Sequence, residues 1–400
     1  MKNPTFEVPH AMAGAAPPNA ATSADGGIAT AYIVHDLADA AVRRRIGLLR
    51  SAGAAIRLAG FHRTERAPAE VEGLVPQPLG HTRDGALLAR IVTVARQWLA
   101  PARLRRVTGG AQVIVARNLE TLVLAARLRQ RGQRLVYECL DIHRLLLGAG
   151  LASHLLRMVE TWAMRHVDLV VVSAPAFRDR YFRERRGWKG PIALVENLVP
   201  ATGMPPEARP PLPDPSPAPP WRIGWFGMLR CRRSLDMLCT LAKAHPGMVE
   251  VLIAGRPSPD IFPDLAAEIA AAPGVTFVGA YSAEDLPQLY GQVHFAWAID
   301  YFEEGLNSAW LLPNRLYESL AHGAVPIALA QVATGEWLES HGAGMLTTAP
   351  ERQLPDMFAM LSPEILARLR QASARIPATA VVMDAAQARA IGRNLLGLAG

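Results

Sequence analysis

Cysteine is scarce in this chain: Cys139, Cys231 and Cys239 are the only three in 400 residues. An odd number at such spacing fits neither a disulfide framework nor a zinc site, and a reducing cytoplasm is the simplest compartment. Long apolar runs are missing as well. No stretch reaches the roughly 18–20 residues that a membrane-spanning helix needs, and residues 1–28 lack the apolar core of a secretory signal. Aromatics are 6% of the sequence and show no stacking pattern, which argues against a nucleic-acid partner. No glycine-rich phosphate loop follows the first strand, so the first half is not read as a dinucleotide site. No Asp-x-Asp pair marks a metal site, and no cofactor is expected.

Half of the residues are hydrophobic, ample for two sizeable cores. The net charge of +7 is unevenly divided. Residues 1–200 hold 28 Lys+Arg against 16 Asp+Glu; residues 201–400 hold 14 against 19. A basic first half fits an anionic partner such as a membrane surface, or equally a solubilising arginine surface. Composition also divides the chain. Residues 1–28 read as a flexible tail, 29–199 as one domain, and the proline-rich 200–220 as a stiff linker. Residues 221–380 form a second domain, and 381–400 a terminal helix that could pack back on the first.

Both domains alternate strand and helix, the pattern of α/β folds with open parallel sheets. In the first, ATAYIVHD (29–36) and AAIRLAGF (54–61) flank a helix over 39–52. Residues 84–106 form a basic amphipathic helix that Pro101 kinks or ends, suited either to a membrane surface or to packing on the sheet. Further strands run over 111–116, 134–140, 168–175 and 191–197, giving six to seven in all. In such sheets functional loops follow the carboxyl ends of strands. His35, Asp36, Asp39, Arg117, Asn118, Asp141 and His143 stand at such ends, and could include a general base or an acceptor-binding set.

In the second domain WRIGWFG (221–227) is a strand running into glycine. Gly227 there permits a tight turn, and Arg230, Arg232 and Arg233 surround the next helix start, a combination suited to a diphosphate. The stretch LPNRLYESLAHGAVPIA (312–328) is the most informative. Pro313 and Asn314 open a helix, Gly323 closes it, and VPIAL follows as a buried strand. Arg315 stands beside the free N–H groups of the first turn. Glu318 shares its face and could grip ribose hydroxyls, or form an ordinary Arg–Glu pair.

These residues resemble the GT-B glycosyltransferases, particularly family 4 and the bacterial exopolysaccharide-type members. The similarity runs over about residues 29–350. It is carried by the Gly227-x-x-Arg230 motif, LIAG, VTFVGAYSAEDLPQLY and above all 312–328; in the first half DLADAAVRRRIGLLRSAG, VYECLDIH and SAPAFRDRYF carry it more weakly. The resemblance implies two Rossmann-like domains facing each other across a cleft. It implies that Gly227, Arg230, Arg233, Asn314 and Arg315 hold the donor diphosphate and Glu318 the ribose. The family's first glutamate is replaced by Trp310, leaving Glu303 and Glu304 as candidates to grip the sugar.

The reaction implied is transfer of a sugar, hexosyl in type, from a nucleotide diphosphate sugar to a saccharide or lipid-linked saccharide in surface polysaccharide synthesis. Arginines would take the place of a metal at the leaving phosphate. Glu318, Asp141, His143 and Asp36 are the catalytic candidates. The expected setting is the cytoplasm, at the inner face of an anionic plasma membrane if the basic half meets lipid. Two alternatives share the architecture: a sugar-nucleotide 2-epimerase and a non-catalytic nucleotide-sugar-binding scaffold.

Overall fold

A computed structural model describes residues 26–82, 87–201 and 216–398. The tail over 1–25, the start of the helix placed at 84–106 and most of the linker fall outside the described residues. Strands β1 (Ile28–Val34), β2 (Ala54–His62), β3 (Gln77–His81), β4 (Val113–Arg117), β5 (Arg134–Cys139), β6 (Leu169–Val172) and β7 (Ile192–Leu194) form one sheet in the order β3-β2-β1-β4-β5-β6-β7. All its pairings are parallel. β3 carries Pro78 and Gly80, and that composition hides an edge strand from a reading that looks for β-branched runs.

Alternate residues of β1 enter different cores. Ala31 and Ile33 join one apolar cluster, Tyr32 and Val34 the other. The sheet is therefore buried on both faces, which explains its near-continuous apolar strands. The segment around 84–106 is two helices, Leu87–Leu99 and Ala102–Thr108, broken at Pro101. Proline there lacks the N–H that would continue the ladder.

After β8 (Val199–Pro200) the second sheet comprises β9 (Trp221–Leu229), β10 (Val249–Pro257), β11 (Val275–Phe277), β12 (Phe295–Trp297), β13 (Val325–Leu329) and β14 (Met345–Thr347). Their order is β11-β10-β9-β12-β13-β14, again all parallel. β15 (Val382–Met383) returns to pair with β8. The last helix, Ala385–Leu396, then lies on the helix Ala40–Ser51. A Cβ at Gly392 would meet Leu48 O at 2.7 Å and Ala52 Cβ at 2.6 Å, so glycine allows that close approach. Both sheets have the doubly wound order, with switch points between β1 and β4 and between β9 and β12. Ligands of such sheets bind at the carboxyl ends beside these points.

The expected turn at Gly227 is not where the chain turns. Gly227 lies inside β9, paired with Gly255 of β10, and both have positive φ (118° and 141°). A Cβ on Gly255 would stand 1.8 Å from Gly227 O. Glycine is required for two strands to touch, and the turn comes later, at Arg230–Cys231, before the helix Arg232–Ala244.

Candidate active site

Arg230 follows β9 and Asp300 follows β12, so the switch point of the second sheet brings them together. Arg230 Nη2 lies 3.8 Å from Asp300 Oδ2, and Arg315 Nη2 lies 3.7 Å from the same oxygen. Arg315 also donates to Trp297 O at 3.2 Å, and Arg230 rests 4.3 Å over the ring of Phe302. Two guanidiniums thus face one carboxylate, a local excess of positive charge. Beside them begins the helix Asn314–Ala321, whose N-cap, Pro313, offers no capping side chain. Its first-turn N–H groups and its dipole add to the same anion-attracting field.

One turn further along, Glu318 is 8% exposed. Tyr290 Oη donates to its Oε2 at 3.4 Å. Burial raises its carboxyl pKa, against Arg44, Arg315 and Tyr290, which lower it. Arg44 comes from the helix Ala40–Ser51 of the first domain, so this carboxylate feels both sides of the cleft. Tyr290 in turn stacks on His322, ring centroids 5.7 Å apart.

The structure separates the adjacent glutamates that the sequence left as alternatives. Glu304 accepts from Arg233 Nη1 at 3.1 Å, and Arg233 Nη2 reaches Glu351 at 2.6 Å while its guanidinium lies 3.9 Å over Tyr301. Glu304 and Arg233 are thereby engaged on an exposed flank. Glu303 faces the cleft. Burial raises its pKa, the nearby Asp141 adds to the rise, and Arg230 and Arg144 oppose it. Trp310 is half-buried against the apolar cluster that includes Leu312 and Leu316, a packing role that a glutamate could not fill.

Opposite stand the residues of the first domain. Asn307 Nδ2 donates to Asp141 Oδ1 at 3.1 Å, and Asn307 Oδ1 accepts from Ile142 N–H at 3.3 Å. One amide thus spans the two domains with both ends used. His143 caps the short helix Arg144–Leu147, its Nδ1 accepting from Leu145 N–H at 3.3 Å. Burial, then Arg90 and Arg144, lower its pKa; the neutral ring therefore carries its proton on Nε2. Asp36 Oδ1 accepts from Ala38 N–H at 3.1 Å, and its Oδ2 lies 3.6 Å from Arg63 Nε.

Arg117 is a correction. It stands at a strand end, yet it is 1% exposed and points into the domain. Its Nε donates to Glu138 Oε2 at 3.0 Å and its Nη1 to Asp39 Oδ2 at 3.2 Å. Arg45 and Tyr32 also donate to Glu138. A carboxylate on β5 consumes the guanidinium, which cannot face a substrate. Asp39 is likewise occupied, accepting from Ala41 N–H at 2.9 Å as a helix cap. Burial, countered in part by Asp39, holds His35 down at about 3, so it stays neutral. Asn118 has φ 68°, and its buried Oδ1 has no partner among the described residues.

Sequence reasoning missed Asp300, Asn307, Tyr290, Arg44 and Glu120. Glu120 sits in the first turn of the helix Leu119–Leu128, where burial raises its pKa against Arg90 and Arg63. Asp300 had one signal, its place just beyond the apolar run VHFAWAI. Asn307 and Arg44 had none, because their role depends on which domain surface they meet.

No protein-family model matches the chain. It is 41% identical over 374 residues to the succinoglycan biosynthesis protein ExoL of Rhizobium meliloti strain 1021, covering 92% of this chain and 93% of that one. Its fold is similar to sucrose-phosphate synthase of Thermosynechococcus elongatus, with a TM-score of 0.63 and 16% identity over 92% of this chain and 99% of that one. It is also similar to Anabaena HepE in complex with UDP and glucose, with a TM-score of 0.64 and 14% identity over 92% and 99%. Identity over nearly the whole length places the chain, and the two doubly wound sheets whose carboxyl ends meet at one cleft agree with the fold of these solved structures: it belongs to the family of the succinoglycan biosynthesis protein ExoL.

Proposed function

We propose that the chain moves a sugar from a nucleotide diphosphate sugar to a hydroxyl of a saccharide, free or lipid-linked, in the assembly of a surface polysaccharide. The observation that carries this reading is the convergence of Arg230 and Arg315 on the single carboxylate of Asp300, at the switch point of the second sheet. A diphosphate entering there brings the charge that two guanidiniums and a helix N-terminus favour. Glu318, one turn along, is placed for the ribose hydroxyls. Glu303, facing the cleft, is placed for the transferred sugar in the role left open by Trp310. Asn314 lends its first-turn N–H, and Gly227 lets β9 and β10 approach closely below the site. Arg233 contributes a longer-range field, held as it is by Glu304 and Glu351.

As the bond from sugar to phosphate breaks, negative charge grows on the leaving phosphate. Fixed guanidiniums stabilise that charge at little reorganisation cost. His143, with its proton on Nε2, is set to donate to an acceptor oxygen rather than to deprotonate it. Asp141 is the better candidate for a base, and Asp36 is held by Ala38 and Arg63. HepE has been solved with UDP-glucose, and a uridine nucleotide is accordingly the first donor to try. The test is a panel of nucleotide diphosphate sugars read by thermal shift, followed by transfer to a saccharide extract. A donor that raises Tm in the parent but not in Arg230→Ala or Arg315→Ala supports the site. Absence of any shift across the panel, or shifts untouched by both substitutions, overturns it.

A further inference from the structure

We propose that the first domain docks on an anionic lipid bilayer through one face built from two helices, Leu151–Met164 and Leu87–Leu99. The first presents Leu151, Leu155, Met158 and Val159 to solvent, Leu151 being 87% and Leu155 62% exposed. Their spacing of four, three and one residues puts them on one side of a helix. That helix carries no exposed charge along this side: its sole acid, Glu160, is buried and paired with Arg186 and Tyr181, and Arg157 is turned back to Leu146 O and Gly148 O. Ile91, Val92 and Leu99 are exposed on the second helix. The two helices touch through Trp98 and Trp162, ring centroids 5.5 Å apart, so the apolar patches belong to one face.

Charge says what covers it. Residues 87–108 hold Arg90, Arg96, Arg103, Arg105 and Arg106 and no acidic residue. Arg96 is exposed on the helix Leu87–Leu99 itself, and Arg103, Arg105 and Arg106 are exposed on the helix Ala102–Thr108 that follows it after Pro101. Exposed leucine, isoleucine and methionine bordered by arginine suit the headgroup boundary of an anionic bilayer, where apolar burial and attraction to phosphate add. A protein groove of neutral charge would match the leucines but not Arg96, Arg105 and Arg106.

The face also has an address. Leu151 begins directly after the segment His143–Gly150, and Arg90 on the other helix is close enough to His143 to depress its pKa. Docking would therefore set the mouth of the crevice at the lipid surface, where an acceptor attached to a lipid can be reached without leaving the bilayer. That consequence rests on the transferase reading; the lipid contact itself does not.

The experiment is flotation of the full chain with vesicles of phosphatidylcholine alone and of phosphatidylcholine with about one third phosphatidylglycerol. The expected result is flotation with the anionic vesicles, reduced severalfold by salt of about 0.5 M and by Arg105→Glu/Arg106→Glu. Leu155→Asp/Met158→Asp should lower the bound fraction at least about tenfold. Both positions lie in solvent, so circular dichroism and donor-induced thermal shift should match the parent. A donor shift retained without flotation separates failure of this proposal from failure of the transferase reading. No flotation of the parent overturns the proposal, as does flotation indifferent to the Asp pair. A dimer in solution that the same pair dissociates, with no lipid binding, assigns the face to a second copy and overturns it equally.

Discussion

Glu138 accepts hydrogen bonds from Tyr32, Arg45 and Arg117, and all four side chains are buried. Desolvation opposes its charge, but Arg117 and Arg45 win and hold its carboxyl below the usual range. Its ionised form therefore stabilises the fold above the ordinary glutamate range, and that contribution is lost as pH falls through the lowered value. Glu138→Gln leaves two guanidiniums under-compensated and should cost about 3–5 kcal/mol in a denaturant titration at neutral pH. Glu318 has the opposite sign. Burial raises its pKa beyond what Arg44, Arg315 and Tyr290 restore, so stability is greatest while it is protonated and falls as pH rises through the raised value. Glu318→Gln should raise Tm at neutral pH, yet weaken donor binding by roughly 10–100-fold, the worth of a charge-assisted hydrogen bond. A carboxylate kept in place although its charge costs the fold stability is what a binding residue looks like; a Gln variant with lower Tm and unchanged donor affinity would remove Glu318 from the site.

At the scale of elements, the close contact of β9 and β10 shows what local sequence can and cannot say. Glycine at 227 and glycine ending LIAG at 255 both signal an unusual backbone, and φ of 118° and 141° agrees. The signal does not say that the two positions face each other, because partners 28 residues apart become neighbours only through the pairing of two strands. Gly255→Ala pushes a methyl carbon into Gly227 O on a backbone that L-residues rarely adopt, and should cost several kcal/mol or prevent soluble expression. An Ala variant with parental Tm would mean that the strands part readily. The helix Asn314–Ala321 was legible for the converse reason: its cap, its arginine and its glutamate are all local, between Pro313 and Glu318. Arg117 was misread because β4 ends in a charged residue whether or not that residue is swallowed by the neighbouring strand. β3 went unseen because an edge strand tolerates proline and glycine that a central strand would not.

At the scale of the whole molecule, side-chain hydrogen bonds among the described residues join the two domains directly. Tyr317 Oη donates to Glu196 at 3.0 Å, Arg180 meets Glu336 on the surface, and Asn307 spans Asp141 and Ile142. Only the last borders the proposed chemistry, and Asn307 is itself buried. Its oxygen takes an N–H and its nitrogen meets a carboxylate, an orientation that an aspartate cannot imitate. Asn307→Asp keeps the bond to Ile142 N–H but sets a second carboxylate against Asp141, near Glu303, whose carboxyl pKa is already raised by burial and then by Asp141. Repulsion there should open the cleft. The groups proposed to bind the donor, Arg230, Arg315 and Glu318, all belong to the second domain, so donor-induced thermal shift should be nearly unchanged. Transfer needs donor and acceptor aligned, and a displacement of about 1 Å can cost on the order of 100-fold in rate. The expected signature is a fall of kcat by one to two orders of magnitude, with a larger radius of gyration in X-ray scattering and donor affinity within about twofold. Parallel losses of donor affinity and kcat would instead place Asn307 in the donor site, and unchanged kcat would show that the bridge has no part in alignment.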